Sequence, residues 1–374
     1  MKKILFVSNI SDRISNFSIP SIEAGQRLGY EVHLAANYSN FSDNADKYNV
    51  RINHIDIIRN PLAIGNIKAL IQMCKLIKKE KYDMIHCNTP IGGILGRISG
   101  KICGVSKVIY TAHGFHFYKG APIVNNLIYK NIERLLARIT DGIITINKED
   151  YNAAKKLKLR KNGKVYYIPG VGINTDEYYK NGERENILRK KLGITNEEII
   201  IISMGDLIKR KNYKSSLEAI AKLKGYKIRY LICGKGPEFD NLKKLANKLQ
   251  IENMVEFLGF RKDVKELLHI SDIFLFTTYQ EGLPRSTMEA MASGLPCVVS
   301  NIRGNTDLIN NNKGGYLCNP NDINDISEKI IKLYNNKILR EKMGRINLNE
   351  IKKYDVKEIN KEMFKIYSSE LKNI

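Results

Sequence analysis

The chain has 374 residues, of which 43% are hydrophobic and 27% are charged, and its formal net charge is +22. This length suits about two domains with sizeable cores, and the charge makes nucleic acid, anionic lipid and phosphorylated substrates candidate partners, although Lys is abundant throughout. The six cysteines form no Cys-x-x-Cys pair, which argues against a zinc site and indicates buried thiols in a reducing compartment. No signal peptide or spanning stretch of roughly 18 apolar residues is visible, so we expect a cytoplasmic protein, with peripheral membrane attachment left open.

Short apolar runs alternate with helix-length amphipathic stretches along the whole chain. In the first half, the predicted strands are Ile4–Val7, Val32–Ala36, Met84–Cys87, Val108–Ala112, Gly142–Ile146 and Val165–Pro169. In the second half, they are Ile199–Gly205, Arg229–Gly234, Val255–Leu258, Ile273–Thr278, Pro296–Ser300 and Tyr316–Cys318. Strands separated in this way indicate parallel βαβ units, and the two sets indicate two α/β domains.

Two glycines in the polar segment 170–176 suit a hinge between the two sets of strands. We therefore predict a first domain over residues 1–172, a second over 173–352 and a terminal helix over 353–374. One charged cluster, Lys155–Lys164, has six basic residues and no acid. It predicts contact with an anionic membrane or another polyanion, and the alternative is a solvated helix end.

A histidine-rich segment follows the predicted strand Val108–Ala112. Gly114 lets the chain turn directly after His113, so we expect that imidazole at the carboxyl end of the strand. The alternative is a satisfied core histidine. His116 and His86 have evenly balanced functional and structural interpretations.

Three basic residues, Lys209, Arg210 and Lys211, follow the strong strand Ile199–Gly205. Three cations at a βα turn favour a pyrophosphate site, and the alternative is a solvated basic turn. A glycine turn after the next strand, Cys233–Pro237, is a weaker signal. Further along, Asp263 is placed to cap a helix.

The most informative stretch is Glu281-Gly-Leu-Pro-Arg-Ser-Thr-Met-Glu289, which is followed by Ala-Met-Ala-Ser-Gly-Leu-Pro. Gly282 allows a tight turn, and Pro284 suits the first position of a helix. The N–H groups at such a helix start suit a phosphate. Glu281 and Glu289 flank that site, and carboxylates accept hydrogen bonds from sugar hydroxyls. The pattern favours a ligand in which a phosphate is joined to hydroxyl-rich groups.

This stretch resembles the corresponding motif of the retaining glycosyltransferases of family four. The segments His86–Gly93, Thr111–Pro122 and Thr145–Tyr151 are similar to the exopolysaccharide and capsule branch of that family, and the likeness covers essentially the whole chain. The resemblance implies the GT-B fold: two Rossmann-like parallel-sheet domains that face each other across a cleft, with a terminal helix that commonly crosses back to the first domain.

The resemblance also implies roles for individual residues. The two implied catalytic residues are His113, which would contact the donor sugar near the reacting carbon, and Glu281, which would hold hydroxyls of that sugar. The resemblance places His116 and Asn88 on the acceptor side. The expected donor-binding residues are Lys211, Arg210, Arg261, Gly282, Leu283 and Glu289. The Arg that is frequent in this family falls on Asp206, and either Arg210 or Lys209 compensates for it.

The implied activity is transfer of a sugar from a nucleotide-diphosphate donor, with UDP favoured, to a glycan or lipid-linked acceptor at the inner face of the cell membrane. We expect no metal cofactor, because no Asp-x-Asp occurs, and no nucleic-acid partner, because basic residues lie at βα turns and helix ends. The first strand is followed by Ser8-Asn-Ile-Ser-Asp12 and not by the glycine-rich Gly-x-Gly-x-x-Gly motif, which argues against a nicotinamide cofactor. The alternatives are a UDP-sugar 2-epimerase of GT-B fold and a non-catalytic polyanion-binding protein.

Overall fold

Two fully parallel sheets organise the described part of the chain, which comprises residues 2–170, 172–178 and 182–372 of a computed structural model. Residue 171 of the predicted hinge lies outside the described residues. The chain folds as two compact units, of which the first comprises Met1–Gly172 with Val356–Ile374 and the second comprises Ile173–Asp355.

The first unit contains a seven-stranded sheet in the order β3-β2-β1-β4-β5-β6-β7. Its strands are β1 Lys3–Ile10, β2 Glu31–Asn37, β3 Arg51–His54, β4 Met84–Asn88, β5 Lys107–Ala112, β6 Gly142–Thr145 and β7 Lys164–Tyr167. The helices that connect them are α1 Ile19–Arg27, α2 Gly65–Glu80, α3 Pro90–Ile102, α4 Ile123–Ala137 and α5 Lys148–Ala154.

The second unit contains a six-stranded sheet in the order β10-β9-β8-β11-β12-β13. Its strands are β8 Ile199–Met204, β9 Ile228–Cys233, β10 Val255–Gly259, β11 Ile273–Phe276, β12 Cys297–Ser300 and β13 Gly315–Cys318. Its helices are α6 Gly182–Lys191, α7 Tyr213–Ala221, α8 Phe239–Lys248, α9 Val264–His269, α10 Arg285–Ala292, α11 Asn305–Leu308, α12 Ile323–Tyr334 and α13 Lys337–Glu350, and α14 Val356–Leu371 follows in the first unit.

Burial explains why the central strands could be predicted from the sequence. All residues of β4 and of β11 are buried, because helices cover both faces of each parallel sheet. A buried Leu, Ile or Phe side chain contributes about 1.5–3 kcal/mol, so such strands are continuous apolar runs. The edge strand β3 has no fully buried residue, and the sequence prediction missed it.

The strand orders place a topological switch point in each sheet. From β1 the first sheet grows outward through β2 and β3, and from β4 it grows in the opposite direction. In the second sheet the same reversal lies between β8 and β11. Open α/β sheets bind ligands beyond the carboxyl ends of the strands at such a reversal.

The terminal helix α14 completes the core of the first unit, where it packs against α1. Ile359, Met363 and Ile366 are buried together with Ile4 and Ile109 of the sheet. Among the described residues, no helix is both long and apolar enough to cross a bilayer.

Candidate active site

A cluster of opposite charges lies at the switch point of the second sheet. The turn after β8 carries Arg210 and Lys211, and the turn after β11 carries Glu281. Lys211 Nζ and Arg210 Nη1 each donate to Glu281 Oε1 at 2.8 Å, and Thr278 Oγ1 donates to the same oxygen at 3.0 Å. The Lys211 ammonium also lies 4.8 Å from the centroid of the Phe276 ring. The two cations and the carboxylate of this cluster together carry a charge of +1, which suits a diphosphate better than a neutral ligand.

The Lys211 and Glu281 side chains are only 12% and 11% exposed, whereas that of Arg210 is 40% exposed. The nearly buried pair is therefore weakly screened by water and salt. Asp206, on which the resemblance places the frequent Arg of the glycosyltransferase family, lies in the same turn, as does Lys209. The structure gives Arg210, through its bond to Glu281, a defined place in this cluster.

Arg303 is a site residue that the sequence reasoning missed. It is buried and donates through Nε to the backbone carbonyl of Glu281 at 3.1 Å. The turn that follows β12 carries it, so it reaches the same edge of the sheet as the charge cluster. The signal was present in the sequence as a lone Arg before Gly304, but nothing local distinguished it from a surface Arg.

Glycines bring two neighbouring turns of this edge into backbone contact. A Cβ added at Gly234 would overlap the carbonyl oxygen of Gly205, and one at Gly236 would overlap the carbonyl oxygen of Leu207. The glycine turn after β9 therefore packs directly against the turn that carries Lys211. Gly205 itself lies beside the Lys211 ammonium, since a Cβ there would be 3.6 Å from Nζ.

Helix α10 begins at Arg285, and Pro284 occupies its N-cap position with extended backbone angles. The sequence predicted that Pro284 is the first residue of the helix, whereas it directly precedes that first residue. The proline side chain cannot accept hydrogen bonds from the first turn. Gly282 and Leu283 lie in the turn that leads into this helix.

Glu289 lies one turn into α10 and is paired along the helix. Arg285 Nε donates to Glu289 Oε1 at 2.9 Å, and the Glu289 side chain is 18% exposed. Burial, and then the neighbouring Glu289 carboxylate, raise the pKa of Tyr178 above its ordinary value. Glu289 therefore has a cationic and a phenolic neighbour within the second unit.

Arg261 follows β10 and makes a two-pronged pair with Asp263, at 2.8 Å from Nε and 2.5 Å from Nη2. This pair lowers the pKa of Asp263, because the charged carboxylate is the bonded form. Asp263 occupies the N-cap position of α9 but makes no side-chain capping bond. The predicted capping role was therefore wrong, because the guanidinium two residues earlier takes both carboxylate oxygens.

In the first unit, His113 follows β5 directly and Asn88 ends the adjacent strand β4. His113 Nε2 lies 2.7 Å from Asn88 Oδ1, and an amide oxygen only accepts, so Nε2 carries the proton. His113 Nδ1 is then an acceptor, and it is buried without a hydrogen-bond partner among the described residues. Burial lowers the pKa of His113 to about 4, so the ring is neutral at pH 7. The edge of the His113 ring also packs against Phe17, at 4.7 Å between centroids.

The two other histidines considered in the sequence analysis, His86 and His116, have different surroundings. His86 is buried on β4, with Nδ1 at 2.7 Å from Tyr367 Oη and Nε2 at 2.7 Å from Thr111 Oγ1. Both ring nitrogens are thus occupied by protein groups, which gives His86 a structural position between the sheet and α14. His116 is exposed and packs against Tyr129 at 4.9 Å between ring centroids.

Within the described residues, no group of three or more His, Cys, Asp or Glu side chains is arranged to hold a metal ion. The cluster of Arg210, Lys211 and Glu281 instead places two basic side chains against one carboxylate. The arrangement can bind a diphosphate through cations and a hydroxyl through a carboxylate oxygen.

Comparison with known proteins gives matches over both units. Residues 184–349 match the family model "Glycosyl transferases group 1", and residues 3–147 match "Glycosyl transferase 4-like". The chain is 33% identical over 374 residues to the putative glycosyltransferase EpsD of Bacillus subtilis, covering 98% of this chain and 97% of that protein.

Two further matches are informative. The chain is 31% identical over 288 residues to the UDP-Gal:alpha-D-GlcNAc-diphosphoundecaprenol alpha-1,3-galactosyltransferase of Escherichia coli, covering 76% and 74% of the two chains. The crystal structure of HepE from Anabaena in complex with UDP-glucose matches with a TM-score of 0.80 at 19% identity, over 99% of this chain and 100% of that one.

Proposed function

Because this chain belongs to the group 1, family-four-like glycosyltransferases, we propose that it is a retaining enzyme that transfers a sugar from a UDP-sugar to a lipid-linked acceptor in surface polysaccharide biosynthesis. The predicted glycosyltransferase class and the GT-B fold are confirmed by the family models, the full-length relative and the structural likeness. The UDP donor, retention of stereochemistry, the acceptor and the membrane location are the proposed parts.

One observation carries the proposal: the Arg210–Lys211–Glu281 cluster at the switch point of the second sheet. A nucleotide sugar needs cations for its diphosphate and an oxygen acceptor for its sugar hydroxyls, and this cluster presents both within one hydrogen-bonded group. We assign Lys211 and Arg210 to the diphosphate and Glu281 to hydroxyls of the donor sugar.

The remaining donor contacts follow from the same edge of the sheet. Backbone N–H groups around Gly282 and Leu283 would meet the diphosphate at the start of α10, where the helix dipole adds about 0.3–1 kcal/mol. Glu289 would accept from the ribose hydroxyls, and Arg261 would lie near the base. A charge-assisted hydrogen bond contributes about 1.5–3 kcal/mol, so the charged side chains outweigh the dipole.

Two relatives support a UDP donor. HepE has been crystallised with UDP-glucose, and the name of the E. coli relative specifies UDP-Gal. The acceptor in that name is a diphosphoundecaprenol-linked sugar, which supports a lipid-linked acceptor here and therefore work at the inner face of the cell membrane.

The proposed chemistry is front-side attack by an acceptor hydroxyl on the donor sugar. The bond between the anomeric carbon and the diphosphate breaks, and the leaving diphosphate takes the acceptor proton. Lys211 and Arg210 stabilise the charge that develops on the leaving group, which is the largest electrostatic demand of the step. His113, neutral and with Nδ1 as acceptor, receives a hydrogen bond from a hydroxyl of the donor sugar. Asn88 accepts a hydrogen bond from His113 Nε2, and we assign both Asn88 and His116 to the acceptor side.

Both alternatives are disfavoured. The family match and the transferase relatives disfavour a UDP-sugar 2-epimerase. Membership in an enzyme family disfavours a non-catalytic polyanion-binding protein. No metal is assigned a role, and metal independence remains a prediction.

The test is a donor screen with the purified full-length chain and a short-chain polyprenyl-diphosphate sugar as acceptor. We expect UDP release from a UDP-sugar only when the acceptor is present, with a product of retained anomeric configuration by NMR. Interconversion of the donor without acceptor would instead demonstrate epimerisation, and release of GDP alone would overturn the UDP assignment.

A further inference from the structure

Exposed apolar side chains are concentrated in two segments of the first unit. Of the nineteen large apolar side chains that are exposed among the described residues, ten lie in segments 58–71 and 123–135. The most exposed are Leu62 at 88%, Ile123 at 86% and Ile64 at 82%. Single exposed apolar residues are ordinary, but a cluster of this size marks an interaction surface.

A groove joins the two segments into one surface. Its volume is about 510 Å³, and it is lined by Pro61 and Leu62 before α2 and by Ile128, Tyr129 and Ile132 of α4. We call the exposed apolar residues of segments 58–71 and 123–135, with this groove between them, the apolar surface.

The charges beside the apolar surface are predominantly positive, and Asp56, two residues before segment 58–71, is paired with Lys68 at 2.8 Å. Lys130, Arg134 and Arg138 are exposed along or just after α4. The one acid of that helix, Glu133, is bound by the fully buried Arg97 at 2.7 and 3.1 Å. Arg59 lines the groove itself. The surface therefore combines apolar side chains with a positive surround.

We propose that the apolar surface docks onto an anionic lipid bilayer, with its apolar side chains among the acyl chains and its basic residues at the headgroups. The inference rests on the proposed function, because a lipid-linked acceptor keeps its tail in the bilayer. Charge complementarity selects this occupant: an apolar surface with a cationic surround is the composition that binds anionic membrane interfaces.

The basic run Lys155–Lys164 is the rival membrane surface that the sequence indicates. Its lysines are exposed, but Arg160 donates to Asp141 at 2.9 Å, and none of the strongly exposed large apolar residues lies in it. That run would bind by charge alone, so 1 M salt, with a Debye length of about 3 Å, should release it. Apolar insertion should leave a bound fraction at 1 M salt.

The test is flotation of the purified full chain with vesicles of phosphatidylcholine, with and without 30 mol% phosphatidylglycerol as the anionic probe. We expect Leu62→Ser/Val124→Ser to lower the partition coefficient at least tenfold. The matched control Ile187→Ser/Ile338→Ser, with residues exposed by 67% and 77%, should stay within twofold of the parent. Circular dichroism and UDP affinity check that both variants fold.

Two further variants distinguish the contribution of the basic residues beside the apolar surface from that of the basic run Lys155–Lys164. Lys130→Gln/Arg134→Gln should weaken binding at 0.1 M salt and bind like the parent at 1 M. Lys155→Gln/Lys156→Gln should have a smaller effect at 0.1 M salt. The proposal is overturned if the apolar variant floats like the parent. It is also overturned if 1 M salt abolishes all binding, or if the parent dimerises through this surface and ignores vesicles.

Different results would overturn the docking surface and the proposed function. Sugar transfer to a water-soluble acceptor analogue, without flotation, would refute the docking surface and leave the glycosyltransferase assignment in place. Flotation through the apolar surface, with no transfer from any UDP-sugar, would keep the docking surface and overturn the proposed donor.

Discussion

The strongest test of the donor site is Glu281→Gln, because one oxygen of Glu281 accepts from three donors. Those donors are Lys211 at 2.8 Å, Arg210 at 2.8 Å and Thr278 at 3.0 Å. The substitution keeps the shape of the side chain, removes its charge and raises the net charge of the Arg210–Lys211–Glu281 cluster from +1 to +2. A lost charge-assisted hydrogen bond to the sugar costs about 1.5–3 kcal/mol, so we expect kcat/KM to fall roughly 10- to 150-fold.

Binding of UDP alone should not weaken, because UDP has no donor sugar and the two cations remain. Calorimetry with UDP and with the intact donor measures the two affinities. The matched substitution Glu289→Gln should weaken UDP and donor together, since Glu289 is assigned to the ribose. If Glu281→Gln weakens UDP as much as it weakens the donor, Glu281 does not bind the sugar and the assignment fails.

Three other predictions address separate features. With Asn88→Asp, a carboxylate beside Nε2 favours the imidazolium and raises the pKa of His113 from about 4. The kcat/KM should then fall as the pH is lowered from about 7 towards 5. Asn88→Ala should not show this fall, and its absence in Asn88→Asp would refute a need for the neutral ring. Activity should survive excess EDTA, because basic side chains serve the leaving group, and a Mn²⁺-restorable loss would contradict this. Gly234→Ala should lower the free energy of unfolding by about 1–3 kcal/mol more than Gly193→Ala, which has open space around it; equal losses in chemical denaturation would contradict the packing against Gly205.

The sequence predicted the buried strands well, because a parallel strand covered on both faces is a continuous apolar run. The structure has strands at all twelve predicted positions, and each predicted end either coincides with the observed end or differs from it by at most three residues. The missed strand β3, Arg51-Ile-Asn-His54, is an edge strand without a fully buried residue. Its pairing with β2 depends on tertiary contacts that no local pattern encodes.

The candidate site was predictable in its parts and not in its connections. Lys211 and Glu281 were each identifiable because each follows a strong strand, but their 2.8 Å contact joins turns 70 residues apart. Arg303 was missed for the same reason, since its burial depends on the neighbouring turn. His86 remained ambiguous because its partner Tyr367 is 281 residues away.

The pairing of Glu281 with Lys211 has a consequence for how a donor would enter. An ammonium has three N–H donors, so Lys211 can hold Glu281 and a phosphate oxygen at the same time. Arg210 is 40% exposed, so its solvated side chain can turn from Glu281 and from the carbonyl of Gln280 to the diphosphate, because an exposed ion pair contributes only about 0–1 kcal/mol. Binding of the diphosphate then withdraws one cation from Glu281 and leaves its oxygen more basic toward a sugar hydroxyl. Recognition of the sugar would therefore strengthen when the diphosphate is in place, which favours the intact donor over either of its halves.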